Sequence, residues 1–211
     1  MSFSLVEYFT ILSVFTIGAI SPGPDFAMVL RQSVIHGRKE AIFTSLGISL
    51  ALLVHGAYTI LGLGIIISQS LILFTILKYL GAAYLLWLGI SALLSKAPKA
   101  IDNENNETPS TISPIKAFTI GFLTNLLNPK AMLFFVSLFT IIVSFDTQVL
   151  HKVFYVISMS VILFLWFSLV SIFFTTQKMR NSFYKLGKWF NRITGLALIF
   201  LAIKVAFTTT K

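Results

Sequence analysis

Two oppositely charged side chains stand where apolar stretches of this chain are interrupted by proline. Asp25 closes the run Ser21-Pro22-Gly23-Pro24-Asp25, inside an apolar segment that begins at Leu5 and continues past Leu30. Lys130 closes Asn125-Leu126-Leu127-Asn128-Pro129-Lys130, inside another. Proline has no amide hydrogen, so Pro22 and Pro24 release the carbonyls of Gly18 and Ile20 from i to i−4 bonding and turn them toward whatever the break encloses. An unsatisfied backbone group is costly in hydrocarbon, and such a break is tolerated only where it is buried in protein or lines a watery cavity. A cavity edged by a carboxylate, an ammonium and two asparagines suits a small zwitterion, held with its ammonium toward Asp25 and its carboxylate toward Lys130. The alternative is structural: a permanent ion pair, or a lysine that snorkels to the interface.

An ionisable residue at membrane depth is a functional-site candidate by default. Asp25 is therefore read as a substrate-binding and proton-coupling group. As the second residue of a helix opened by Pro24 it would also be held by the helix dipole, and the two roles are compatible. Asn125 and Asn128 add side-chain donors and acceptors beside Pro129, although asparagine in a membrane helix also serves to bond a neighbouring helix. His55 lies in the middle of another apolar run and is a candidate proton relay, with packing at a helix seam as the commoner role. Lys78, near the start of a further run, is expected to snorkel.

The two breaks are matched. Phe15-Thr16-Ile17-Gly18 precedes the first, the identical Phe118-Thr119-Ile120-Gly121 precedes the second, and Ala27-Met28 after one answers Ala131-Met132 after the other. Paired Pro/Gly-interrupted hydrophobic segments in two halves of a chain point to a transporter binding site. Apolar runs of spanning length, each needing about 20 residues, fall at 5–36, 41–67, 70–94, 117–143, 153–176 and 189–208. The pattern predicts an all-α integral membrane protein with six transmembrane helices, arranged as two three-helix halves in an inverted repeat with broken first and fourth helices. Residues 1–95 form the first half, 96–116 a polar cytoplasmic linker and 117–211 the second half of one transport domain. A straight first run would reach about 48 Å against a hydrocarbon core of about 30 Å, so its break also relieves excess length. Glycines at 47, 56, 62 and 64, with Gly81-Ala82-Ala83 and Gly89, are expected to let the second and third runs pack closely. The short Ser68-Gln69-Ser70 makes those runs a hairpin.

Composition agrees. Among 211 residues 56% are hydrophobic and only 11% charged, with mean hydropathy +0.90, too little polar surface for a soluble domain. The 21 phenylalanines suit lipid-facing helices. No cysteine is present, which excludes disulfides, thiolate metal sites and cysteine nucleophiles. With three histidines and two intramembrane charges, the chain offers no metal box, triad or paired carboxylates, so it is not read as an enzyme and needs no cofactor. The net charge of +9 reflects loop bias rather than nucleic-acid binding. No cleavable signal peptide is expected: neither a basic leader nor an Ala-x-Ala pattern flanks the first run.

Eleven basic residues fall on one side of the six runs: Arg31, Arg38 and Lys39; Lys96, Lys99 and Lys116; and five between Lys178 and Arg192. The other side has at most four, Lys78, Lys152, Lys204 and Lys211. The asymmetry puts the first set in the cytoplasm and both termini outside.

The chain resembles the LysE/RhtB family of bacterial amino-acid exporters. The resemblance rests on Ser21-Pro22-Gly23-Pro24-Asp25, on His36-Gly37-Arg38 with Gly47-Ile48, on Lys78 through Gly89 (KYLGAAYLLWLG), and on Gly121-Phe122-Leu123 with Asn125 and Asn128-Pro129-Lys130. It implies a six-helix inner-membrane protein that exports amino acids or their derivatives, in exchange for protons. An exporter of an inorganic cation and a non-transporting scaffold are the alternatives. A scaffold has no need of two matched breaks, and a cation site should show more acidic or histidine ligands.

Overall fold

The computed structural model describes residues 3–95, 112–144, 146–174 and 177–207, and over them the chain is helical. Eight helices follow in order: α1 (Leu5–Ile20), α2 (Pro24–Ile35), α3 (Arg38–Gln69), α4 (Leu71–Leu94), α5 (Pro114–Leu126), α6 (Pro129–Ile142), α7 (Val149–Phe173) and α8 (Gln177–Phe207). Of these, α3, α4 and α7 are each long and apolar enough to cross a membrane. α1 with α2 and α5 with α6 are bent pairs, at 55° and 58°, which raises the number of spans among the described residues to five if each pair crosses once.

The local signals explain the boundaries. α2 opens on Pro24, whose fixed φ suits a first helical position, and ends just before Gly37. Gly37 has φ 94°, the left-handed conformation in which a side chain would be strained. Ser70 separates α3 from α4 and caps α4 by accepting the Leu73 amide at 3.3 Å. Ser113 does the same for α5 with Lys116.

α3 lies along α5 and α7, while α4 lies along α8 and α6. Glycine makes two of these crossings possible. A Cβ on Gly47 of α3 would run into the Phe118 carbonyl of α5, and one on Gly121 would run into Thr44. Gly89 of α4 and Gly195 of α8 face each other, so a Cβ on either would stand 2.8 or 2.7 Å from the other's carbonyl oxygen. The packed centre gathers Phe135, Leu138 and Phe139 of α6 with Tyr155 and Met159 of α7. The outward faces are apolar as well: Ile72, Leu80 and Trp87 of α4 are 74%, 62% and 61% exposed. Such faces are stable only against lipid, and the protein is a multi-pass membrane protein.

Several expectations are corrected. Gly62 and Gly64 meet nothing within 4 Å, so only part of the glycine set serves close packing. Many phenylalanines are internal rather than lipid-facing: Phe15, Phe26, Phe134, Phe135, Phe139 and Phe167 are all buried in the common core. Lys78, expected to snorkel, is only 9% exposed and so largely covered by the protein. The basic stretch from Lys178, expected as a loop, forms the first turns of α8, whose start precedes the apolar run at 189–208. α5 begins at Pro114, three residues early. Residues 96–111 of the central linker lie outside the described residues.

Candidate functional site

Each break settles its backbone debts differently. At the end of α1 the Ser21 amide turns one residue short and donates to the Gly18 carbonyl at 3.2 Å. Gly18 is therefore not left free, contrary to the expectation from sequence. The carbonyl that Ser21 would otherwise have bonded, Ile17, accepts the Thr194 hydroxyl of α8 at 3.3 Å. At the second break Pro129 deprives Asn125 of its i+4 donor. The Asn125 carbonyl instead takes the Asn128 amide at 3.0 Å and His55 Nε2 of α3 at 3.1 Å. A carbonyl only accepts, so Nε2 carries a proton. His55 Nδ1 lies 2.6 Å from the Tyr58 hydroxyl, one helical turn along.

The side chains at the two breaks converge. Asn125 Nδ2 donates to Asp25 Oδ2 at 2.9 Å, a bond between residues a hundred positions apart. Asp25 Oδ1 and Asn125 Oδ1 are both buried and receive no hydrogen bond. Asn128 caps α6, its Oδ1 accepting the Lys130 amide at 3.0 Å. The Lys130 ammonium lies beside Gly23, so close that a Cβ there would be 3.2 Å from Nζ. A side chain at Gly23 would therefore crowd the end of the lysine. The carboxylate is held by Asn125 rather than by Lys130, which differs from the direct pair that the opposite charges suggest.

These groups border one cavity of about 70 Å³. At about 10 to 15 Å³ per water, that is room for several waters or a small ligand. Ser21, Gly23, Pro24 and Asp25 from the first break line it together with Asn125, Asn128 and Lys130 from the second. Pro22 and Pro129 are not among its lining; they shape the backbone that presents the others. His55 also stands outside the wall, fully buried, and meets the site at Asn125, whose backbone carbonyl it bonds.

Sequence reasoning missed the walls contributed by unbroken helices, among them Leu52, Leu88, Leu163 and Phe167. An aliphatic or aromatic residue in a membrane helix reads the same whether it faces a cavity, a neighbour or lipid. Tyr58 had a usable signal, its i+3 spacing from His55.

Arranged in this way, the site offers two free acceptor oxygens, a nearby ammonium and the N-terminal ends of α2 and α6 around a shared space. Comparison with known proteins agrees with a transport role. The model of the family described as LysE type translocator matches residues 16–209. The chain is 32% identical over 193 residues to the threonine efflux protein of Salmonella typhi, covering 90% of this chain and 93% of that one. It is 30% identical to the leucine efflux protein of Klebsiella pneumoniae, over 97% of this chain and 96% of that one. A homoserine/homoserine lactone efflux protein of Salmonella typhimurium is 36% identical over 63% of this chain and 62% of that one. No solved structure matches. The chain belongs to the LysE family of membrane translocators, and it is a transporter rather than an enzyme.

Proposed function

We propose that this protein exports amino acids or their derivatives from the cytoplasm, holding the zwitterion between the two helix breaks. The observation that carries the reading is the pair of buried, unbonded acceptors, Asp25 Oδ1 and Asn125 Oδ1, beside the same cavity as the Lys130 ammonium. A substrate ammonium satisfies the two acceptors, and its carboxylate turns to Lys130. The names of the relatives, which are efflux proteins for threonine, leucine and homoserine, support the amino-acid class. The same acceptors alone would suit an inorganic cation, but a fixed positive charge in the cavity opposes one.

Export runs in exchange for protons in this reading, with Asp25 as the coupling group: it is occupied in turn by substrate ammonium and by a proton. His55 is the second proton-coupling candidate, joined to Asp25 through Asn125. Six crossings in an inner membrane, with both termini outside and an inverted repeat relating the two bent pairs, complete the proposal. The similar bends of 55° and 58° support the repeat.

Efflux of preloaded amino acids from cells expressing the protein, with and without a proton gradient, tests the function. The expected outcome is export that collapses with the gradient and is abolished by Asp25→Asn or Lys130→Met at unchanged membrane levels. Full activity in either variant removes that residue from the mechanism.

A further inference from the structure

The cavity is divided by chemistry. Every polar side chain on its wall, from Ser21 to Lys130, belongs to one of the breaks or to the helical turn on either side of it. The remaining wall is apolar throughout, and its largest part includes Phe15 of α1, Leu52 of α3, Leu88 of α4, Phe134 of α6, and Leu163 and Phe167 of α7. None of these six side chains has a hydrogen-bonding group. Their positions are tightly set: the Phe134 ring packs on the bare backbone at Gly18, where any Cβ would strike it.

We propose that the amino acids exported here carry apolar side chains, of the valine, leucine and methionine kind, in preference to hydroxyl, amide or charged ones. This rests on the reading that the zwitterion's two ends are held between the breaks. With those ends fixed at the polar side, the substrate's side chain lies against the apolar wall. A hydroxyl there loses its water and finds no donor or acceptor in exchange. The discrimination has a natural ceiling, because an apolar pocket rejects an isostere that merely adds a hydroxyl by only about 100-fold.

Valine and threonine make the test, since they share a shape and differ by a methyl against a hydroxyl. The purified protein is reconstituted into proteoliposomes loaded with one radiolabelled amino acid at a time, and efflux is followed under a pH gradient for wild type and Asp25→Asn. The expected result is valine efflux at least tenfold faster than threonine efflux, lost in the variant. Threonine leaving as fast as valine or faster, with efflux still dependent on Asp25, overturns the apolar preference and leaves the binding mode standing. No efflux of either, or efflux indifferent to Asp25→Asn, overturns the binding mode and the preference with it.

Discussion

His55 shows how a proline break draws on a residue far away in sequence. Pro129 takes away the i+4 donor of the Asn125 carbonyl, and the His55 Nε2–H supplies one from α3 at 3.1 Å. The same asparagine holds Asp25 through its side chain, so an imidazole outside the cavity fixes the orientation of a group inside it. His55→Ala removes two hydrogen bonds, to the Asn125 carbonyl and to the Tyr58 hydroxyl, a net loss of about 2 kcal/mol at about 1 kcal/mol each, while the Asn128 amide still covers the carbonyl. Export should therefore fall by less than tenfold, with a lowered thermal midpoint in detergent. His55→Gln, which can still donate from a side-chain amide, should recover most of both. A complete loss of export at normal membrane levels in both variants would instead put His55 in the path of the proton.

At the scale of helices, the glycines separate into those that a crossing requires and those that it does not. Gly89 and Gly195 lie against each other's carbonyls, so Gly89→Leu must push α4 from α8, and membrane accumulation should drop sharply. Gly62 has open space around it, and Gly62→Leu should leave accumulation and export near wild type. Equal loss in the two variants would refute the crossing. Sequence alone grouped Gly62 with Gly47 and Gly56, because spacing reports that a residue is small and not which neighbour it meets. The breaks were far more legible. Proline acts on its own backbone, so Pro24 marked the start of α2, and Pro129 the second break, without knowledge of the tertiary fold. The partners of the breaks were not, since Thr194, His55 and the Asn125–Asp25 bond depend on which helices lie side by side. Opposite charge suggested Asp25 to Lys130; the packing gave Asp25 to an amide and left the lysine by Gly23.

The whole molecule must choose which face meets the cytoplasm. On the proposed topology, which rests on eleven basic residues against at most four, the central linker is inside and the connection between α6 and α7 outside. Glu7 ties two segments of one face together: its two carboxylate oxygens accept the Ser144 amide and the Thr147 hydroxyl, each at 2.9 Å, joining the start of α1 to the α6–α7 turn. The start of α1 and that turn therefore lie on one side of the membrane, an arrangement an even number of crossings between them requires. Each bent pair crossing once, together with α3 and α4, gives four crossings from Glu7 to Ser144, which is consistent with the contact. The cysteine-free chain permits a direct measurement. A cysteine replacing Asp146, which is exposed in the turn, should react with an impermeant thiol reagent in intact cells. One replacing Asn105, in the linker, should react only after the cells are permeabilised. The reverse pattern would invert the topology and turn an exporter's outer face inward; labelling of both in intact cells would mean that the bent pairs do not each cross once.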